Sequence, residues 1–345
     1  MKNGNNVKIA IVNSSSFGRI FPEHIDVLSS LGDVVRYDFP TDVDGKTLAQ
    51  ELSGVHIIIA SVMPSYDRDF FESQRDVFLI ARHGIGVNNV DIVAATEFGV
   101  LVTKVSGEIE REAMAEHTIA LMLSVLRKLT PAYNEVKMGG WKNRARFVGM
   151  ELKGRKVGIV GIGNIGSRVA KILSDGFGAQ VFAYDPNLHP DEITLRGATP
   201  TSFDELLSRS DIITLHAPLT EKTYHMIGKS EFEKMKRGVV IVDTARGELI
   251  DTRALIESLE DGKVFGVGMD VVEGEPIDEN HPLLGFENVV IVPHIGAYTE
   301  ECLKGMGDKV VEDVKRVLHG EVPDVVVNVD VLKRRNRLNE FGIGG

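Results

Sequence analysis

The chain has 345 residues, 43% of them hydrophobic and 26% charged, and a formal net charge of −11. That length holds two domains of ordinary size, each with enough apolar side chains for its own core. The acidic balance argues against a general nucleic-acid or anionic-membrane binder, which needs a cationic surface, although a few local cations would suffice for a small anionic substrate.

Met1 to Val7 is polar and lacks the apolar centre of a secretory signal. Val7–Val12 reads as a strand, Pro22–Leu31 as a helix, and Val34–Tyr37, Val55–Ala60 and Val77–Ala81 as further strands. Val90–Phe98 is helical and Val100–Thr103 is another short strand. No apolar run reaches the ~20 residues of a membrane helix. Glu110–Leu129 carries the longest helical pattern, with Met114, Ile119, Leu121, Met122, Val125 and Leu126 spread over much of its circumference, so deep burial is expected. Pro131 and then Gly139-Gly140 are expected to break it, leaving a polar stretch through Arg146. A second series follows, with strand candidates Lys156–Val160, Gln180–Tyr184, Asp211–Leu215, Val239–Val242, Val264–Val267 and Val289–Val292. Helices fit Ile165–Asp175, Asp204–Arg209, Lys229–Lys236, Thr252–Asp261 and Thr299–Leu318. Near-continuous apolar strands alternating with helices indicate parallel sheets covered on both faces.

The last strand candidate, Asp324–Val329, is expected to return to the first domain, because the second series already has its strands. The fold expected is therefore α/β: two Rossmann-like βα domains with parallel sheets and an active site in the cleft between them. Residues 1–108 and 298–345 would form the substrate domain and 109–297 the nucleotide domain. The one cysteine, Cys302, excludes an internal disulfide and suits the cytoplasm. The basic tail Lys333, Arg334, Arg335 and Arg337 reads as a solvated chain end.

Gly161-Ile162-Gly163-Asn164-Ile165-Gly166 matches G-x-G-x-x-G, preceded by a strand and followed by a helix. Gly161 permits the tight turn, Gly163 lets backbone approach a pyrophosphate, and Gly166 lets helix and strand pack closely. The pyrophosphate would rest on free N–H groups at the helix start. Asp185 ends the next strand, 19 residues beyond Gly166, where a carboxylate accepts hydrogen bonds from the adenosine ribose and repels a 2′-phosphate. NAD is thus expected over NADP; FAD also fits the glycines alone, and Asp185-Pro186-Asn187 also fits a plain turn.

Polar groups gather where three strands of the second series end: Asp243-Thr244-Ala245-Arg246-Gly247, then Asp270 with Glu273-Gly274-Glu275-Pro276, then Pro293-His294-Ile295-Gly296. Singly, Arg246 could be a surface arginine, Glu275 one of many loop acids, and His294 one of 10 histidines. Together, in this order after a nucleotide fingerprint, they resemble the D-isomer-specific 2-hydroxyacid dehydrogenases, the family of phosphoglycerate dehydrogenases and glyoxylate/hydroxypyruvate reductases. The likeness extends from Ala81-Arg82-His83-Gly84-Ile85-Gly86 to beyond His294.

The resemblance implies an NAD-linked oxidoreductase that interconverts a 2-oxo acid and a D-2-hydroxy acid. Arg246 would hold the substrate carboxylate and polarise the 2-oxo group, His294 would exchange the proton, and Glu275 would orient the imidazole. Ile85, Ala217, Thr244, Ala245, Asp270 and Gly296, with Arg246 and His294, would line the cofactor; Gly84, Ile85, Gly86 and Val87 would offer backbone N–H groups to the substrate carboxylate. A homodimer made largely through 110–150 is implied. His216, His117 and His83 lack metal-ligand spacing, so no metal site is expected. The loop Ala60-Ser61-Val62-Met63-Pro64-Ser65 holds no cation before Arg68, which puts a phosphorylated substrate in doubt; phosphoglycerate, glycerate/glyoxylate and a sugar acid all stay open. The competing reading is an NAD(H)-sensing, corepressor-like binding protein of the same fold.

Overall fold

A computed structural model describes residues 7–333. The chain divides into two compact units: the described residues up to Glu110 together with those from Thr299 onward, and Arg111–Tyr298. In the first unit, β1 (Lys8–Val12), β2 (Asp33–Tyr37), β3 (Ile57–Ala60), β4 (Leu79–Arg82) and β5 (Leu101–Thr103) form a parallel sheet in the order β2-β1-β3-β4-β5. Helices α1 (Glu23–Ser29), α2 (Gly45–Glu51), α3 (Arg68–Ser73) and α4 (Ile92–Glu97) connect them. Alternate strand residues feed two cores. Ala10, Ile58 and Ile80 pack with Leu48, Phe70 and Ala94, while Ile9, Ile57 and Leu79 pack with Leu28, Val310 and Val314.

Helices α2 and α3 lie outside the periodic pattern, being too short to display one. Their starts are nonetheless written in the sequence. Asp44 and Asp67 each cap a helix by accepting a hydrogen bond from the main-chain N–H three residues on.

The long helix α5 spans Gly107–Leu126. Its break falls earlier than Pro131. Lys128, at φ 52°, turns the chain into α6 (Leu129–Lys137), and Pro131 sits in the first turn of that helix, where its missing N–H costs nothing. A 3-10 turn, Trp141–Phe147, follows.

In the second unit, β6 (Lys156–Val160), β7 (Gln180–Tyr184), β8 (Thr199–Pro200), β9 (Ile212–Leu215), β10 (Val239–Asp243), β11 (Val264–Met269) and β12 (Val289–Ile291) make one parallel sheet in the order β12-β11-β10-β9-β6-β7-β8. The helices are α7 (Asn164–Lys171), α8 (Pro190–Leu195), α9 (Phe203–Arg209), α10 (Lys229–Lys234) and α11 (Thr252–Glu260). The short β8 and α8 are additions to the sequence reading, and α7 runs on into a π turn at Ile172–Gly176. Leu121, Met122, Val125 and Leu126 of α5 are buried in the core on one face of this sheet. Strand order reverses between β6 and β9, which opens a crevice at their carboxyl ends, the place where doubly wound sheets bind ligands.

Helix α12 (Glu300–Leu318) belongs to the first unit, and so does the segment after it. That segment is not the strand expected at Asp324–Val329. It meets β5 through one antiparallel bridge, Thr103 to Val326, and through the side chain of buried Asn328. Asn328 Oδ1 accepts from Val102 N at 2.9 Å, and its Nδ2 donates to Val100 O at 2.8 Å and Thr96 Oγ1 at 3.1 Å. An amide side chain thus does what a sixth strand would do at this sheet edge. Of the basic tail, Lys333 pairs with Asp330, while Arg334, Arg335 and Arg337 lie outside the described residues. Among the described residues no helix is long and apolar enough to cross a membrane.

Asn328→Ala leaves buried main-chain groups without partners, and the expected cost is about 2–3 kcal/mol. Chemical denaturation measures it, and hydrogen exchange should show faster exchange of the Val102 amide.

Candidate active site

The glycine turn is shaped by contact as much as by conformation. Gly161 has φ +86°, and a Cβ there would lie 2.8 Å from the main chain of His216 and Ala217. A Cβ on Gly166 would stand 2.3 Å from Gly161 O, so any larger residue would push α7 off β6. Gly163, the residue before α7, faces open space, with nothing within 4 Å of an added Cβ. Asn164 and Ile165 begin the helix, whose first N–H groups are unpaired along the helix and favour an anion.

Asp185 follows β7. Its Oδ2 accepts from Ile162 N at 3.1 Å and its Oδ1 from Asn187 N at 3.0 Å, so the carboxylate also organises its own turn. Arg196 Nη1 donates to Ile162 O at 2.7 Å. The Ile162 main chain is therefore held on both sides of its Cα. An uncrowded glycine, a helix start and an acid beside the same turn fit a dinucleotide pyrophosphate and ribose.

Three adjacent strands deliver the remaining groups. At the end of β10, Asp243 is wholly buried, and its Oδ1 accepts from Ala245 N at 2.8 Å. Burial pushes its carboxyl up to about 8, against the opposing pull of the Ala245 and Arg246 amides. Thr244 is also buried, its Oγ1 2.9 Å from Thr118 Oγ1 of α5. Arg246 is half-buried and donates from Nη1 to Ala245 O at 2.5 Å.

After β11 comes Asp270, 1% exposed. Its Oδ1 accepts from Ile295 N at 2.7 Å and its Oδ2 from Gly296 N at 2.9 Å. His117 Nε2 lies 3.2 Å from Oδ1, an ion-pair distance but not aligned for a hydrogen bond. Burial alone would raise the Asp270 carboxyl; His117 and the two amides outweigh it and hold it below the usual range.

After β12, His294 takes the left-handed conformation at φ 52°, rare for a side chain of this size. Two bonds hold it there: His294 N donates to Asp270 O at 2.9 Å and to Val292 O at 3.0 Å. The ring then meets Glu275, with Nδ1 2.5 Å from Oε1. Glu275 is itself fixed, because Oε2 accepts from Val272 N at 3.2 Å. Both side chains are about one-third exposed, 32% for His294 and 35% for Glu275, so the pair is reachable from solvent.

The second unit therefore brings together Gly161–Gly166 with Asp185 and Ala217, and separately Glu275 with His294, beside Asp270, Ile295 and Gly296. The turn Thr244–Arg246 ends the neighbouring strand. The loop Gly84–Val87 belongs to the first unit. There Gly84 N donates to Arg82 O at 3.0 Å and Ile85 N to Glu110 Oε1 at 3.1 Å. These two amides are thus committed within their own unit.

His117, one of the histidines without metal-ligand spacing, sits against Asp270. Thr118 and Arg196 join it as contacts outside the sequence motifs. All three are fixed by which helix lies on which strand end, and no motif marks them. His216 and His83 remain apart from this chemistry. Burial takes His216 down to about 4, with Nε2 3.0 Å from Thr214 Oγ1, and burial with nearby Arg82 takes His83 down to about 3. Among the described residues, no group of three or more His, Cys, Asp or Glu is placed to hold a metal ion.

Residues 119–296 match the family model described as D-isomer specific 2-hydroxyacid dehydrogenase, NAD binding domain. A D-3-phosphoglycerate dehydrogenase of Methanocaldococcus jannaschii is 38% identical over 309 residues; the alignment takes in 89% of this chain and 58% of that relative, so the chain spans little more than half its length. A glyoxylate reductase of Thermococcus litoralis is 36% identical over 321 residues, 91% of this chain and 96% of the relative. The crystal structure of D-lactate dehydrogenase from Aquifex aeolicus, complexed with NAD and lactic acid, superposes with a TM-score of 0.81 at 29% identity, covering 93% of this chain and 99% of that one.

Asp243 supplies a pH test. Its folded-state carboxyl titrates near 8, far above the usual 3.8, so between those values the folded chain holds a proton that the unfolded chain releases. Its contribution to stability is therefore full below pH 3.8 and is lost as pH rises through 8. Asp243→Asn mimics the protonated form. Its melting temperature is expected to gain on the parent as pH is raised across that window, with the two curves converging in acid; thermal melts at a series of pH values measure it.

Proposed function

This chain belongs to the D-isomer specific 2-hydroxyacid dehydrogenase family, and from that membership and the site geometry we propose that it reduces a small, unphosphorylated 2-oxo acid to a D-2-hydroxy acid with NADH, reversibly. The observation that carries the reading is the 2.5 Å contact between His294 Nδ1 and Glu275 Oε1. A carboxylate at Nδ1 places the ring proton there and turns Nε2 toward the substrate oxygen. In reduction His294 Nε2 gives a proton to the C2 oxygen; in oxidation it takes the proton back. Bound NADH supplies the hydride to C2, and NAD accepts it in the reverse direction.

Arg246 pairs with the substrate carboxylate and draws charge from the 2-oxo oxygen, a task suited to a planar guanidinium. One of its N–H groups is tied to the Ala245 carbonyl, which fixes the side chain over its own loop. Ile85, Ala217, Thr244, Ala245, Asp270 and Gly296 are proposed to face the cofactor. In the Gly84–Val87 loop, the amides of Gly86 and Val87 are the ones proposed to meet the carboxylate.

The case against a phosphorylated substrate rests on the loop Ala60–Ser65, which has no cation. The nearby arginines are engaged elsewhere. Arg68 Nη2 lies 2.7 Å from Glu97 Oε2, and buried Arg82 donates from Nη1 to the carbonyls of Ala60 and His83. Glyoxylate and hydroxypyruvate are the substrates proposed.

The test follows NADH absorbance with glyoxylate, hydroxypyruvate, pyruvate and phosphohydroxypyruvate. Turnover is expected with the first two and little with the last. His294→Ala is expected to lower kcat by roughly 10²–10⁴-fold while leaving the Kd for NADH near its parent value. NADH binding without turnover on any 2-oxo acid would favour a dinucleotide-sensing role instead.

A homodimer is part of the same proposal. No residue of α6 is buried, and Leu129, Tyr133, Met138 and Trp141 are exposed together with Val148. Such an exposed apolar arm marks a contact surface, and a second copy of the chain is the cover proposed. Sedimentation is expected to give twice the chain mass. Trp141→Asp combined with Met138→Asp is expected to shift it toward monomer; an unchanged monomeric mass in the parent protein would end the idea.

A further inference from the structure

A second histidine–glutamate pair lies beside the first. His225 Nε2 is 2.5 Å from Glu273 Oε1, and Glu273 stands two residues before Glu275 on the same loop. Both side chains are partly sheltered, and the His225 ring is stacked on Tyr224 at 4.0 Å between centroids. His225 also takes the left-handed conformation, at φ 50°. A residue of this size is held there only when its surroundings determine it.

Those surroundings connect to both halves of the proposed chemistry. His225 N donates to Glu248 O at 2.8 Å, and Ile227 N to Leu249 O at 3.0 Å, so the His225 segment runs along the chain that leaves Arg246. Glu273 Oε2 accepts from Thr252 N at 3.3 Å, further along that same chain. Between them, Gly247 packs flat on the Glu275 loop. A Cβ there would stand 2.1 Å from Glu273 N and from Val272 C. Residues 246–252 are thus enclosed by the His225 segment on one side and the Val272–Glu275 loop on the other. The His225–Glu273 contact closes the ring.

We propose that His225 and Glu273 are positioning residues, a clasp that locks the loop bearing Glu275 against the turn bearing Arg246 and so keeps Glu275 in register with His294. This rests on the assignment of Glu275 and His294 given above. Neither His225 nor Glu273 touches the reacting atoms. Without the clasp, the Glu275 loop keeps its own Val272 bonds and its packing on Gly247, but its side-chain tie to the Arg246 side is loosened. The His294–Glu275 hydrogen bond then lengthens and its population falls.

The experiment uses the full chain with NADH bound and compares His225→Ala, His225→Gln, Glu273→Ala and the double alanine variant. His225→Gln retains an N–H donor aimed at Glu273. The first readout is the far-downfield proton NMR signal of the His294 Nδ1–H held by Glu275, assigned by its loss in His294→Gln. It is expected to weaken or vanish in both single alanine variants and the double variant, and to return in His225→Gln. The second readout is kinetic. Each alanine variant is expected to lose about tenfold in kcat/KM, the double variant no more than either single one, and the basic limb of the pH profile should move to lower pH, while the Kd for NADH stays within twofold. An unaltered signal and pH profile in His225→Ala would overturn the clasp, as would a loss that His225→Gln leaves unrepaired and that comes with weaker NADH binding. The reading beneath it fails differently. In that case the parent protein shows no such signal, or His294→Ala keeps its turnover.

Discussion

The carboxylate of Asp270 organises the end of the second unit where Arg246, Glu275 and His294 are proposed to act. It is almost fully buried, and it ties down the chain that follows β12: the Ile295 and Gly296 amides donate to its two oxygens, and its main-chain carbonyl accepts from His294 N. A buried ionised group is costly unless fully satisfied, so this arrangement admits few alternatives. It fixes the backbone of His294 in a conformation that the residue would otherwise avoid. Because Asp270 N donates in turn to Asp243 O at 2.9 Å, the ends of β10, β11 and β12 are bonded in sequence, and the loops they carry inherit that order. His117, reaching in from α5, adds a positive partner when protonated. A satisfied carboxylate thus converts the sheet's strand order into the order of Arg246, Glu275 and His294 around one edge.

Much of this could be read before any coordinates. Fully apolar strands such as Ile57–Ala60 and Val239–Val242 announce parallel sheets because both their faces must be covered. The turn proposed to hold the dinucleotide is legible because glycine spacing, a preceding strand and Asp185 reinforce one another. Other parts were legible only as local signals. The aspartate caps of α2 and α3 sit in plain view, but helices of six or seven residues show no periodicity to draw attention to them. The kink after α5 defeated the proline rule because a proline in the first turn of a new helix reads the same as one that ends an old helix. Asn328 was invisible for a deeper reason. Its segment looks like a strand by composition, and beyond one antiparallel bridge the ladder is continued by a single side chain whose partners lie more than 200 residues earlier in the sequence.

The same distinction separates the site residues. Arg246, Glu275 and His294 stand in loops after strands, where chain order and chemistry coincide. His117 and Thr118 lie on α5, Arg196 caps the end of α8, and His225 sits in the turn before α10; what each of them meets depends on which strand end or loop the fold brings to it. The sequence neighbourhood of His225, Thr223-Tyr224-His225-Met226, says nothing of Glu273. Support for the proposed catalytic pair is distributed in the fold, while the pair itself is compact in the sequence.

The Ile162 main chain, held by Asp185 at its N–H and by Arg196 at its carbonyl, gives cofactor choice an architectural side. Asp185 is the residue a protein engineer would replace to admit a 2′-phosphate. Removing its carboxylate would also release one side of the residue that sets the pitch of the glycine turn. Changing the preferred dinucleotide is therefore not an exchange of one ribose contact for another. A replacement at 185 has to keep an acceptor for the Ile162 amide, as asparagine or serine does, or the turn needs a new anchor elsewhere. The carboxylate proposed to select the dinucleotide is also a scaffold group, so a change in the one is constrained by the other.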